Sequence, residues 1–284
     1  MKWFNMIEPS PLGCNRMTTE QEMMLEDPDY TDFIRKVERS TGINLADYKE
    51  SQMKRRLTTL RVKKGFNTFA DFYDVMAKDK QLLHEFLDRM TINVSEFWRN
   101  PNRWEVLRDQ VLPLLMEQNP GKLKIWSAAC STGEEPYTLA MILADKQLLS
   151  RAQIVATDID DGVIHKAKEG LYVERSLKDV PVEVAERYFR AEGSFYRFSE
   201  SLKKEVLFQK QNLLTDRFEA GYDLIVCRNV MIYFTEEAKH KLYLKFAASL
   251  RPGGFLFVGS TEQIFNPLQY GMESHETFFY RKVQ

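Results

Sequence analysis

The stretch from Ile125 to Tyr137, I-W-S-A-A-C-S-T-G-E-E-P-Y, decides the fold. Its apolar first half reads as a buried strand and its second half as a tight polar loop entering a helix. Ser131, Thr132 and Gly133 make the loop, Glu134 and Glu135 open the helix, and Pro136 sits in the first turn, where a missing N–H costs little. A strand–loop–helix of this kind, starting an α/β domain, is where such folds bind nucleotide-like ligands. The loop has neither the lysine of a P-loop nor the three glycines of a dinucleotide fingerprint. It therefore suits a ligand without a phosphate chain.

Downstream of this segment the chain alternates. Strands are expected at 123–128, 153–157, 205–210, 222–227 and 254–259, and helices at 134–148, 161–169 and 235–249. That rhythm predicts an α/β fold with a doubly wound parallel sheet. Residues 171–204 interrupt it with a short helix and a hairpin around Ser194–Ser199, and the tail His275–Lys282 reads as an antiparallel edge strand. Upstream the pattern is helical: Asp29–Ser40 ahead of Gly42, Asp47–Lys64 ahead of Gly65, then Thr68–Lys78 and Gln81–Ile92. A further helix starts at Pro101 with Asn100 as its expected cap and runs to about Gln118. The expected organisation is a loose tail over 1–26, a helical domain over 27–92, a linker over 93–100 that contributes to the active site, and a ligand-binding domain over 101–284 carrying a small β-subdomain at about 171–204.

Composition narrows the possibilities. The 284 residues are 44% hydrophobic and 29% charged, with a net charge of −1, so no global field points to nucleic acid or membrane. Cys14, Cys130 and Cys227 are widely spaced, in no metal-ligand pattern, and read as reduced thiols of a cytoplasmic protein. No apolar run approaches a membrane span, and Glu8 with two prolines breaks the N-terminus as a signal peptide.

In a doubly wound sheet the ligand lies beyond the C-terminal strand ends. Those ends bring Glu135, Asp158, Asn212 with Leu213, and Asn229 with Val230 and Tyr233 towards one crevice. Asp158 suits a ribose diol, or else caps the next helix. Asn212 suits an adenine edge, or else is a turn residue. Glu135 suits a cationic end, while Glu134 more simply complements the helix dipole. A ribose, an adenine and positive charge without phosphate describe S-adenosylmethionine (SAM) better than NAD.

The segments W-S-A-A-C-S-T-G-E-E-P-Y, A-T-D-I-D, C-R-N-V-M-I-Y-F and N-V-S-E-F-W-R together resemble the chemotaxis-receptor methyltransferases, the CheR-type family, from about residue 28 to the end. The resemblance implies an all-α N-terminal domain, a Rossmann-like SAM-dependent methyltransferase domain and an inserted β-subdomain. The implied activity is methyl transfer from SAM to glutamate side chains of chemoreceptor cytoplasmic helices, giving glutamate methyl esters and S-adenosylhomocysteine (SAH). It assigns Asn93, Ser95, Arg99, Glu135, Asp158, Asn212, Leu213, Asn229 and Val230 to the cofactor, and Arg99 and Tyr233 to the reacting carboxylate. No metal is implied, and none of His84, His165, His240 and His275 is given a role.

A glutamate carboxylate, with a reference pKa of about 4.3, needs no general base at neutral pH, so the task is alignment and desolvation. Lys54, Arg55, Arg56, Arg61, Lys63 and Lys64 form a run of six basic residues with no acid among them, either a solvated face or a dock for glutamate-rich receptor helices. The resemblance implies that some family members grip a receptor C-terminal peptide at the β-subdomain, with glycine-rich hairpins going with tethering; the short A-E-G-S-F-Y-R-F-S has one glycine, so no tethering is expected. The chain is expected to act as a monomer, without nucleic acid and without membrane insertion. The alternative is a SAM-dependent methyltransferase acting on RNA or another protein.

Overall fold

The computed structural model describes residues 27–91 and 95–283, so the N-terminal tail and Asn93 lie outside the described residues. The first third forms four helices: α1 (Pro28–Thr41), α2 (Glu50–Lys63), α3 (Phe69–Met76) and α4 (Lys80–Met90). Each has a local cause. Asp27 caps α1 by accepting the Tyr30 N–H, and Gly42 closes it in the left-handed region. Thr68 and Asp79 cap α3 and α4 in the same way. Tyr30, Phe33, Met53, Leu57, Phe72 and Phe86 point inward and share one core.

The second helix is shorter than its sequence pattern predicts. Residues Leu45–Asp47 form a 3-10 turn, and Tyr48 is extended before α2 begins at Glu50. The extended stretch pairs antiparallel with a segment some 185 residues later. Lys49 N–H donates to the Tyr233 carbonyl and Thr235 N–H to the Asp47 carbonyl, both at 2.9 Å, and the Tyr48 and Phe234 rings lie 5.0 Å apart. A tertiary bridge overrides the local helical preference here.

Residues 95–100 join the two parts and are pinned rather than loose. Phe97 is fully buried, edge-on to Tyr172 and Phe189 at 4.7 and 5.0 Å, and its N–H donates to the Ser176 carbonyl. Trp98 and Asn100 adopt positive φ angles of 56° and 61°. The next helix, α5, spans 101–118 and contains a π turn over Leu107–Val111, just ahead of Pro113, which cannot donate to the carbonyl four residues back.

The sheet then follows: β1 (Leu123–Ala128), α6 (Glu134–Asp145), β2 (Ala152–Asp158), α7 (Asp161–Glu169), β3 (Leu171–Val173), α8 (Val182–Tyr188), β4 (Phe189–Glu192), β5 (Phe195–Phe198), α9 (Glu200–Lys203), β6 (Val206–Lys210), β7 (Tyr222–Cys227), α10 (Glu236–Ser249), β8 (Leu250–Val258), β9 (Met272–Glu276) and β10 (Phe279–Lys282). The main sheet runs β6-β2-β1-β7-β8-β10-β9, and β3-β5-β4 form the small second sheet. The first five strands of the main sheet are parallel and the last two antiparallel. Strand order reverses between β1 and β7, which is the switch point. The tail differs from the single edge strand expected: a turn at Thr277 and Phe278, the latter at φ 72°, folds it into a hairpin, so β9 is the edge and β10 lies inside.

Alternate residues of β1 serve opposite faces. Ile125 packs with α5 and α6 on one side, and Trp126 with Phe246 of α10 on the other. Phe97, Phe189 and Phe198 extend the first of these cores into the β-subdomain. Phe97→Ala is therefore expected to lower unfolding free energy by about 3–5 kcal/mol, read from the urea midpoint at unchanged slope.

Candidate active site

Two adjoining clefts open over the C-terminal ends of β1, β2, β6 and β7. The larger, of about 650 Å³, is lined by Ser131, Asp158, Ile159, Asn212, Leu213 and Tyr233 from the α/β part and by Tyr48, Met90 and Thr91 from the helical part. The smaller is lined by Ser95, Glu96, Arg99, Cys130, Glu135 and Arg228. Ala129, Ser131, Asn229 and Val230 border both, so the two form one continuous site.

The β1 loop shapes the floor. Ala129, Ser131 and Gly133 all take positive φ angles, of 58°, 48° and 94°. A Cβ on Gly133 would stand 2.9 Å from the Ala167 Cβ, so only glycine lets the loop pass α7 so closely. The Ser131 N–H donates to Asp158 Oδ2 at 2.9 Å, and the Ser131 hydroxyl is buried with no partner, although it borders both clefts.

Asp158 does not cap α7; Asp160 does, by accepting the Gly162 N–H. Asp158 is buried, and burial pushes its carboxyl up to about 6 against the pull of the Ser131 and Asp160 N–H groups. Asn212 makes a turn, its Oδ1 accepting the Leu214 N–H at 3.0 Å, and it lines the larger cleft as well.

Both carboxylates at the start of α6 are turned to use. Glu134 is buried and accepts the Thr132 and Ser95 hydroxyls, so it ties the connector to the β1 loop. Glu135 accepts the Ser127 hydroxyl at 2.8 Å. Burial pushes its carboxyl up to about 7, opposed by the positive charge of Arg228. Arg228 itself is buried against the Trp104 and Phe257 rings, and its guanidinium donates to the Arg99 carbonyl at 2.7 Å and to Asn100 Oδ1 at 3.0 Å. Asn100 is therefore not the side-chain cap expected for α5; in its left-handed conformation its amide oxygen serves Arg228 instead. Arg228 fixes the turn that presents Arg99.

Tyr233 borders the larger cleft, and its ring lies under the Arg56 guanidinium at 4.9 Å. Burial pushes its phenol up, and the charges of Arg56 and Arg99 pull it back. No histidine lines either cleft, and burial pushes the Cys130 thiol up, away from nucleophilic use.

The structure thus brings together Ser95, Arg99, Glu135, Asp158, Asn212, Leu213, Asn229, Val230 and Tyr233 around one site. It divides the basic run of α2. Lys54 pairs with Asp27 at 3.1 Å and Lys64 with Glu85 at 2.5 Å, and Arg61 bonds the Asn67 carbonyl over the Phe69 ring. Arg55 and Lys63 are exposed, and Arg56 reaches the site. Sequence reasoning missed Tyr48, Met90 and Thr91, for which no motif gives a signal, and Ser131 as a lining hydroxyl.

The donor set suits SAM on the structure's own terms. The buried Asp158 stands at one end of the site and the half-buried Glu135 at the other, with an unpartnered hydroxyl between them. Comparison with known proteins agrees. Residues 93–279 match the family model described as CheR methyltransferase, SAM binding domain, and residues 28–91 match the CheR methyltransferase all-alpha domain. The chemotaxis protein methyltransferase of Listeria monocytogenes is 48% identical over 255 residues, which cover 90% of this chain and 97% of that one. That of Borreliella burgdorferi is 35% identical, covering 81% and 86%, and chemotaxis protein methyltransferase 1 of Pseudomonas aeruginosa is 35% identical, covering 83% and 90%. With both parts of the chain matched and the cleft lying between them, the chain belongs to the CheR methyltransferase family and is a SAM-dependent methyltransferase.

Proposed function

We propose that the chain transfers the SAM methyl group to glutamate side chains on the cytoplasmic helices of chemoreceptors, releasing SAH and a glutamate methyl ester. The observation that carries this reading is the mouth of the site. Arg56 lies over the Tyr233 ring at the larger cleft, Arg99 lines the adjoining one, and the lining offers no histidine or activated thiol as a base. That mouth fits an acceptor that arrives already negative. The bound cofactor supplies an electrophilic methyl on a sulfonium sulfur. The chain's residues do the rest: Asp158 holds the ribose, Asn212 and Leu213 the adenine, and Glu135 with Ser95 and Asn229 the amino-acid end. Arg99 orients the acceptor carboxylate through a charge-assisted bond, and the Tyr233 hydroxyl packs beside it. Asn93, outside the described residues, keeps its expected place in the cofactor set.

The chain works in the cytoplasm as a monomer in this reading, and does not tether a receptor tail peptide. No helix among the described residues is long and apolar enough to cross a membrane. The exposed Arg55 and Lys63 steer an acidic helix towards the mouth, while Arg56 acts within it.

Transfer of radiolabelled methyl to receptor cytoplasmic fragments tests the function, with label released as a volatile product by mild alkali. Alkali-stable label, or label on RNA, overturns it. Arg99→Ala is expected to lower transfer by about 100-fold or more while SAH binding weakens only modestly; full activity removes Arg99 from the mechanism. Arg55→Glu should slow receptor methylation several-fold at low salt, with the difference shrinking as salt is added. An equal rate at low salt counts against steering.

Glu135 gives a pH signature. Its carboxyl titrates near 7 in the folded chain against an ordinary 4.5. In the ligand-free protein its contribution to stability is full below the ordinary value and is lost as pH rises through about 7. A cationic ligand end selects the ionised form, so affinity runs the other way. SAH affinity, measured calorimetrically, should rise by up to about tenfold per pH unit below 7 and level off above it. Glu135→Gln should flatten that profile around 7.

A further inference from the structure

The segment that carries Asn229, Val230 and Tyr233 has no regular ladder of its own. It leaves β7 at Cys227, turns through Asn229 at φ 61°, and makes a single 3-10 turn over Met231–Tyr233. Something must fix it, because Asn229 and Val230 border both clefts and Tyr233 borders the larger. The Tyr48–Phe234 bridge holds only its far end.

Its near end closes around a carboxylate. Glu262 follows β8 and is only 4% exposed. Oε1 accepts the N–H groups of Val230 and Met231, each at 2.7 Å, with the Ile232 N–H further off at 3.4 Å. Oε2 accepts those of Asn229 and Gly259, also at 2.7 Å. Successive N–H groups that converge in this way form an anion-binding nest, and here the anion comes from the chain itself. The fit is tight. A Cβ on Gly259 would stand 2.5 Å from Glu262 Oε2 and 2.7 Å from the Asn229 nitrogen.

We propose that Glu262 is the positioning residue of the methyl-transfer site, its carboxylate filling the 229–231 nest so that Asn229, Val230 and Tyr233 stand in place before any ligand arrives. The inference rests on the reading that these three residues border cofactor and acceptor. Glu262 lines neither cleft and acts only through the backbone it binds. Burial raises its carboxyl pKa while the four backbone N–H groups lower it, so the ionised form is held by hydrogen bonds rather than by water. A glutamine has the right shape but the wrong chemistry. Its amide nitrogen would point at two N–H donors and open one side of the nest. An aspartate keeps the charge but is one methylene short.

The test reads cofactor binding first, so it does not depend on which acceptor is correct. In wild-type protein without ligand, the amides of Asn229, Val230 and Met231 should already be strongly protected from hydrogen exchange; rapid exchange that slows only on adding SAH overturns the proposal. Glu262→Gln should weaken SAH binding by about tenfold or more and lower kcat by about 100-fold, as expected for misplaced groups. KM for receptor fragments should change less than kcat, since the exposed Arg55 and Lys63 that steer the acceptor in this reading are untouched. Glu262→Asp should recover part of the loss. Gly259→Ala, which presses on the same carboxylate without removing it, should reproduce the Gln phenotype in milder form. A folded Glu262→Gln protein that binds SAH and turns over like wild type refutes the role. If wild type binds SAH but methylates no receptor, the receptor reading fails and the exchange and binding results still decide this one.

Discussion

The C-terminal edge of the parallel sheet is lined with buried carboxylates, and the site's shape follows from how each is compensated. Burial strips most of the water from these groups, so each negative charge finds hydrogen bonds or a counter-charge inside the protein. Asp158 takes the Ser131 and Asp160 N–H groups, Glu134 the Thr132 and Ser95 hydroxyls, Glu135 the Ser127 hydroxyl and the field of Arg228, and Glu262 four backbone N–H groups. Each bond fixes a different loop. The acids hold the β1 loop, the connector and the β7 loop against one another, and the clefts are the space left between them.

Arg228 is the cationic member of this arrangement. It packs against two aromatic rings, opposes the upward shift of the Glu135 carboxyl, and spends its hydrogen bonds on the turn that carries Arg99. The positive φ angles at Trp98 and Asn100 are backbone strain at the site, tolerated because Phe97 is locked into the aromatic cluster beside them.

Much of this was legible in the sequence, and the limits are physical. Strands such as 123–128 and 222–227 are mostly apolar and buried on both faces, so their composition, bounded by turn residues, carries the assignment. Strand ends then delivered Glu135, Asp158, Asn212 and Asn229 to one edge. What periodicity could not reveal depends on contacts between distant segments. Tyr48 leaves the helical pattern only because Phe234 pairs with it. Arg56 looks like its basic neighbours until the fold sets Tyr233 beneath it. Asn100 reads as a cap until Arg228 claims its oxygen. Glu262 was overlooked because an acid beyond a strand reads as a loop residue; the nest it fills is backbone, which leaves no mark in the residue pattern.

The larger cleft has its floor in the α/β part and part of its wall, Tyr48, Met90 and Thr91, in the helical part. The two parts bury mostly separate cores and meet at the 47–49 to 233–235 bridge, at the pinned connector, where Ile159 packs on the helical core and where Arg56 lies over the Tyr233 ring. A ligand in the cleft therefore acts as a further non-covalent cross-link between the two parts. By mass action it stabilises only the state in which both walls are present. Occupancy by substrate or product should thus strengthen the hold between them, so that resistance to heat and proteolysis in the helical part tracks the cell's supply of a molecule bound mainly by the other.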